Sequence, residues 1–326
     1  MRLFISVVMC LILSHSIQAQ VEVGSLDRDT HYKKKFKEGA LNKLKDTETI
    51  FIYRETDDLK VLKKVVNEVW KITEISFVPY SEFVHTDLEN TSFFSIKGLN
   101  VTAFMPSGRS YSNPHTYLSL WMPGKDEEGN EIVESFCRIE LHPSGQNIMN
   151  IIKMSKAKEK DNILDYIYEE GELRNWKPGF LKNYLKFVNK SIAEGVERWL
   201  FQRDKENPEL KNLQSATLYV PDYAMIHFNT QNGDESTKQE EADIFKKYPY
   251  PYEIINTDDL SNKILESDEV FYYLTYVKSS ANKFIAVHNN KTGDIIYSNY
   301  APMSYNIKKS DFKTLATAIK NIAKKK

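Results

Sequence analysis

Residues 49–69, TIFIYRETDDLKVLKKVVNEV, decide the fold class. The first five are β-branched or aromatic residues, which predicts a buried strand. The second part carries apolar residues at helical spacing, which predicts an amphipathic helix with one buried face; these residues are Leu59, Leu62, Val65, Val66 and Val69. Another apolar run at residues 75–78 predicts a second strand, and a strand–helix–strand unit of this kind is a right-handed parallel pair.

The same order of elements recurs further along the chain. Each half is predicted as β-α-β-(α)-β-β-β-α, in which the late hairpin makes the sheet mixed. We therefore expect an α/β fold with two similar mixed-sheet domains that arose by internal duplication. The strands of the first half are predicted at 49–53, 75–78, 92–96, 117–121 and 132–141, and those of the second at 216–220, 252–255, 270–277, 283–288 and 295–300.

This order resembles that of thioredoxin-like domains and, more loosely, that of the small α/β domain at the N-terminus of the periplasmic protein TolB. The resemblance concerns element order, and a fold does not imply a function. Thioredoxin chemistry is not carried over, because the residues after the first strand are Arg54-Glu55-Thr56-Asp57-Asp58 and include no cysteine.

The N-terminus has the order of a secretory signal peptide. Arg2 supplies a positive charge, residues 3–13 are almost wholly apolar, and Ala19 suits cleavage before Gln20. The apolar run of roughly 11 residues is shorter than the ~20 that a membrane span needs. We expect a periplasmic or secreted protein without a transmembrane segment after cleavage. Residues 1–19 are the predicted signal, 20–40 a polar leader, 41–205 a first domain with insertions, and 206–326 a second domain.

Composition excludes several classes of function. The net charge of −1 gives no global field for nucleic acid, so no nucleic-acid partner is expected. Phosphate-binding glycine loops and the H-E-x-x-H pattern are absent from the sequence, and we predict neither a cofactor nor a metal site. Signal cleavage removes Cys10 and leaves Cys137 alone, which prevents an intramolecular disulfide.

Acidic residues follow the first strand of each half. Ligands of open α/β sheets bind outside the carboxyl ends of strands, which makes Asp57, Asp58 and Asp222 candidate catalytic carboxylates. The alternative is helix capping, because Thr-Asp-Asp-Leu occurs at residues 56–59 and again at 257–260, both at predicted helix starts. Capping is the interpretation that the recurrence favours.

An aromatic run, Tyr248-Pro249-Tyr250-Pro251-Tyr252, is the candidate binding element. The prolines favour an extended conformation, and exposed tyrosines can stack on a sugar or hold a partner chain. The alternative is a stiff connector whose tyrosines pack on their own domain.

Two functions remain open from sequence. The leading hypothesis is an exported, non-catalytic binding or scaffold protein whose partner is an unknown envelope protein, peptide or glycan. The alternative is a carboxylate-dependent hydrolase with its site at the strand ends. Cys137 and the stretch His142-Pro143-Ser144-Gly145 are the most enzyme-like feature elsewhere, but a strand followed by a turn explains them as well.

Overall fold

The computed structural model describes residues 20–26, 33–84, 90–104, 110–125, 128–156, 160–200, 203–230, 232–235, 239–279 and 282–325. Only the backbone is described at 99–104, 110–114, 156 and 160–161. The predicted signal peptide, residues 1–19, therefore lies outside the described residues.

The first half of the chain builds a six-stranded sheet in the order β1-β8-β7-β6-β4-β5. Strands β4, β5 and β6 are parallel, whereas β7, β8 and β1 alternate in direction. These strands are β1 (Val21–Val23), β4 (Glu48–Tyr53), β5 (Ile75–Pro79), β6 (Thr91–Phe104), β7 (Ser110–Lys125) and β8 (Glu131–Glu140), and a small separate pair is β2 (Ser25–Leu26) with β3 (Lys33–Lys34). The helices of this half are α1 (Ala40–Lys45), α2 (Leu59–Val69), α3 (Gly145–Lys156), α4 (Lys160–Glu169) and α5 (Pro178–Glu194).

The second half builds a five-stranded sheet in the order β10-β9-β11-β12-β13. Strands β9, β10 and β11 are parallel, and β12 and β13 alternate. The elements are β9 (Leu218–Pro221), α6 (Glu241–Phe245), β10 (Tyr252–Ile255), α7 (Thr257–Glu266), β11 (Tyr272–Ser279), β12 (Asn282–Asn289), β13 (Ile295–Pro302) and α8 (Lys309–Lys324). Short 3₁₀ helices cover Tyr80–Glu82, Pro208–Gln214 and Asp222–Met225.

The predicted mixed α/β class with two mixed sheets is confirmed. Numbered within each half, the five main strands have the same order, 2-1-3-4-5, with strand 4 antiparallel to its neighbours. The first sheet differs by the addition of β1 at its edge. Strands β6 and β7 are far longer than the predicted runs 92–96 and 117–121, because their hairpin continues past Lys97-Gly98 on β6 and through the mostly polar residues 110–116 on β7.

The predicted helix starts are confirmed, and the capping residues are Asp58 at α2 and Asn256 at α7. Asp58 caps α2 by accepting from the amides of Lys60 at 2.9 Å and Val61 at 3.1 Å. At α7 the cap is Asn256, which accepts from the Asp258 amide at 2.8 Å. The two Thr-Asp-Asp-Leu copies also occupy different places, since α2 joins the first and second strands of its half and α7 joins the second and third.

Helix α5 connects the two halves. It packs on α2 of the first half and on α7 of the second, and the buried apolar residues of both sheets form one continuous cluster around it. Gly179 makes the α5–α7 approach possible: its amide donates to Ser261 Oγ at 2.9 Å, and a Cβ there would lie 2.3 Å from the Ser261 carbonyl oxygen.

The stretch that was predicted as a polar leader contributes β1, which lies antiparallel to β8. Gln20, directly before β1, is 1% exposed. Its side chain donates to Tyr184 Oη at 2.8 Å in α5 and accepts from Thr275 Oγ1 at 2.7 Å in β11. The start of the described chain is therefore hydrogen-bonded into the centre of the fold. Across the described ranges, the structure contains no helix with both the length and the apolar character to cross a membrane.

Candidate functional site

The three predicted catalytic carboxylates lie at the ends of the first strands, as expected, but each is engaged locally. Asp57 accepts from Trp176 Nε1 at 3.0 Å, and burial raises the pKa of its carboxyl group. Asp58 caps α2, and Asp222 accepts from the Thr257 amide at 3.1 Å and from its hydroxyl at 2.6 Å. Among the described residues these carboxylates share no hydrogen-bond partner.

The tyrosines of the aromatic run are packed mainly against the protein's own aromatic rings. Tyr248 is 4% exposed and contacts Phe312 edge-on, and Tyr252 stacks on Phe245 with ring centroids 3.8 Å apart. Tyr250 is half-buried beside Tyr248. This packing buries Tyr248 and leaves Tyr250 and Tyr252 half-buried.

The residues around Cys137 and His142 are buried. Cys137 lies within β8, and burial raises the pKa of its thiol to about 12, so the reactive thiolate is scarce at neutral pH. His142 lies 3.2 Å, through Nδ1, from the Tyr276 carbonyl oxygen of β11. Burial, together with Lys278 and Arg174, holds the pKa of His142 well below its usual value, so its imidazole is neutral.

Those two cations belong to a buried group of charges that the sequence analysis missed. Arg174 Nη2 donates to Glu235 Oε2 at 2.7 Å, and Lys278 Nζ lies 3.5 Å from Glu235 Oε1. We call these three side chains the junction cluster, since they lie where β11 of the second sheet meets the segment after β8 of the first. The carboxylate of Glu235 is thus shared by two cations, one on each oxygen.

Each member of the junction cluster is held by backbone structure. Lys278 is the penultimate residue of β11, and the Arg174 amide donates to the His142 carbonyl oxygen at 2.9 Å. Glu235 follows a turn that is closed by a hydrogen bond from the Asn229 amide to the Asp234 carbonyl oxygen at 2.9 Å. The side chain of Glu235 lies against Gly145, the first residue of α3, where a Cβ would come within 2.8 Å of Glu235 Cγ.

The two cations of the cluster have unused donor atoms. Within the described part of the chain, buried Arg174 Nε has no hydrogen-bond partner, and the contact of Lys278 Nζ with Glu235 Oε1 is long, at 3.5 Å. The ammonium of Lys278 also lies 3.2 Å from the centroid of the Phe228 ring, a cation–π contact. Lys278 is 1% exposed, and burial lowers the pKa of its amine to about 7. The cluster reaches solvent through Arg174 and Glu235, whose side chains are 14% and 15% exposed.

A second buried group of charges lies in the first sheet. Arg138 in β8 pairs through Nε with Glu140, and Glu22 of β1 faces it across the strands. His115 Nδ1 accepts from Arg138 Nη2 at 3.1 Å and lies 3.2 Å from Ser279 Oγ, next to Lys278 in sequence. This group has two carboxylates and one guanidinium, the opposite imbalance to that of the junction cluster.

Substitution of Glu22 by glutamine is expected to change the pH dependence of stability. Burial raises the pKa of Glu22 from 4.5 to about 7, so the folded state holds a proton that the unfolded state has lost between these values. Native Glu22 therefore makes the protein lose stability as the pH rises from 4.5 to 7. Urea unfolding should show the Glu22→Gln variant about 1–3 kcal/mol more stable than the native protein at pH 8. An unchanged pH profile, equal to that of an exposed Glu253→Gln control, would contradict this.

Metal ligation is not supported by the geometry of the described ranges, which contain no cluster of three or more histidine, cysteine or acidic side chains able to hold an ion. Comparison with known proteins gives no further guide to the site. No protein-family model matches the chain, and neither a curated protein nor a solved structure matches it.

Proposed function

We propose that this protein is an exported, non-catalytic binding protein whose site is the junction cluster. One observation carries the proposal: two buried cations with unused donor atoms share a single carboxylate at the meeting place of the two sheets. Buried polar atoms are nearly always hydrogen-bonded in proteins, so the unpaired Arg174 Nε and the long contact of Lys278 with the same carboxylate indicate a place for a further acceptor. The expected export rests on the signal sequence alone.

The carboxylate-dependent hydrolase receives less support from the geometry. Hydrolysis by a pair of carboxylates requires two titratable groups that face the same reacting atom. Asp57, Asp58 and Asp222 each accept hydrogen bonds from separate local groups, and two of them bind helix-start amides. The binding proposal requires no such convergence.

We also propose that the two halves are copies of one unit, as the recurrence of the same element order along the chain suggests. The common strand order 2-1-3-4-5 supports this. The different positions of α2 and α7 within their halves mean that any copies have diverged in the helices that connect the strands.

Native mass spectrometry tests the binding function. The mature protein is isolated from the envelope fraction of its host, as wild type and as Arg174→Met. The variant keeps Glu235 paired with Lys278 and should therefore remain folded. A stoichiometric small-molecule adduct is expected on the wild type and on a control with the exposed residue Lys246 changed to Met, but not on Arg174→Met. An adduct that persists on Arg174→Met would place binding elsewhere, and no adduct on any form would overturn the proposal.

A further inference from the structure

The position of Glu235 identifies the ligand chemistry of the junction cluster. Its two carboxylate oxygens face the cations of two other elements, Arg174 before α5 and Lys278 in β11. Its side chain rests on Gly145 at the first turn of α3, the end of a helix that carries partial positive charge. The carboxylate therefore lies between two cations and close to the N-terminal end of a helix.

The carboxylate of Glu235 does not make full use of the hydrogen-bond donors of Arg174 and Lys278. Arg174 uses Nη2 for the carboxylate, whereas buried Nε is left without an acceptor in the described part of the chain. A guanidinium matched to a carboxylate in its preferred geometry uses two parallel donors. Lys278 Nζ lies 3.5 Å from the nearer oxygen, a long contact for an ion pair. A free carboxylate, without the constraint of the chain, can approach both cations more closely.

We propose that the junction cluster is a carboxylate-binding site that the chain's own Glu235 fills in the unliganded protein, and that a carboxylate ligand replaces it on Arg174 and Lys278. This inference rests on the proposed binding function. Glu235 is able to leave because its side chain already reaches solvent, at 15% exposure, and lies on a loop rather than in a strand or helix. Lys278, at 1% exposure on β11, stays in place as the fixed part of the site.

The charge of the site favours an anion over a neutral ligand. Below pH 7, where Lys278 is protonated, the cations of the cluster outnumber its carboxylate by one, and the neighbouring His142 is neutral. Displacement of Glu235 into solvent then leaves two cations for the incoming group. The planar, two-oxygen shape of the carboxylate now present is the reason to choose a carboxylate rather than a tetrahedral phosphate.

Chemical rescue tests this inference without knowledge of the natural ligand. Substitution Glu235→Ala removes the internal carboxylate and opens space for acetate, whereas Glu235→Gln removes the charge and keeps the space filled. The melting temperature of each variant is measured from 1 to 100 mM sodium acetate, with ionic strength held constant by sodium chloride. We expect Glu235→Ala to gain at least about 4 °C across this range, with Glu235→Gln and the double variant Glu235→Ala/Lys278→Met unchanged.

Each outcome decides the inference. A flat response of Glu235→Ala, or an equal response of Glu235→Gln, would overturn it, and a response to phosphate but not to acetate would overturn the carboxylate class. If Glu235→Ala does not fold without acetate, the refolded yield is measured instead, and a yield that does not rise with acetate also overturns it. If acetate rescues Glu235→Ala but the native protein carries no adduct, the carboxylate site is supported and the binding function is not. If the native protein carries an adduct but acetate does not rescue Glu235→Ala, the binding function is supported and the carboxylate site is not.

Discussion

Replacement of Glu235 by glutamine is expected to lower the free energy of unfolding by about 3–5 kcal/mol at pH 6. The reason is the charge count of the junction cluster. Arg174 and Lys278 share this one carboxylate, so its neutralisation leaves two buried cations with no counter-charge. A buried charge that has lost its partner costs far more than the pair contributed, since water no longer solvates it.

The matched variant Lys278→Met should move stability in the opposite direction. It leaves Arg174 paired with Glu235 one to one and places an apolar chain against Phe228, which is expected to raise stability by about 1–4 kcal/mol at pH 6. Because burial lowers the pKa of Lys278 from 10.5 to about 7, the native amine penalises folding most below pH 7, and this penalty fades between pH 7 and 10.5. The gain of Lys278→Met should therefore shrink at high pH.

Urea unfolding of both variants at pH 6 and pH 9 measures these effects. Equal loss of stability in Glu235→Gln and Lys278→Met would mean that the cluster is a balanced structural ion group. Opposite signs would support a surplus of positive charge in the site.

Replacement of Gly179 by alanine is the second large effect, with an expected loss of about 3 kcal/mol. The added Cβ would lie 2.3 Å from the carbonyl oxygen of Ser261 and 2.9 Å from its carbonyl carbon, and these are backbone atoms of α7. A flexible side chain could turn away, but here the two helices must separate. Separation also stretches the hydrogen bond from the Gly179 amide to Ser261 Oγ.

Gly195 provides the control for this substitution. It ends α5 with a positive φ of 65°, and no backbone atom crowds its Cβ position. Gly195→Ala should cost only about 1–2 kcal/mol, the price of a left-handed conformation for alanine. Thermal unfolding of both variants separates the steric clash with α7 from the cost of a left-handed conformation. A loss of stability in Gly179→Ala no larger than that in Gly195→Ala would show that α5 and α7 tolerate separation.

The strands and helices with strong apolar patterns were predictable from sequence. The strand after residue 48, the buried face of α2 and the closing helix α8 follow directly from spacing, because burial on one face is what produces those patterns. The length of β6 and β7 was missed for two reasons: the alternation of apolar and polar residues at 99–103 of β6 was overlooked, and the opposite stretch 110–116 of β7 is mostly polar and shows no such pattern.

The junction cluster was missed for a different reason. The predicted third strand of the second half ends at residue 277, one residue before Lys278, and charged residues in loops are ordinarily solvated. Arg174 and Glu235 lie in such loops, 61 residues apart, and only the packing of two sheets brings them together. One signal was present: Lys278 is the single charged residue in the otherwise uncharged strand Tyr272–Ser279.

The position of Gln20 has a consequence for biogenesis. Its hydrogen bond to Thr275 joins residues 255 positions apart, so the beginning of the described chain has no partner in β11 until nearly all of the polypeptide has been synthesised or translocated. Contacts of such high sequence separation form late and slow the search for the native state. Strand β1 itself can pair with β8 well before that point, so the chain start is placed in two stages, first by its backbone on β8 and later by the Gln20 side chain on β11.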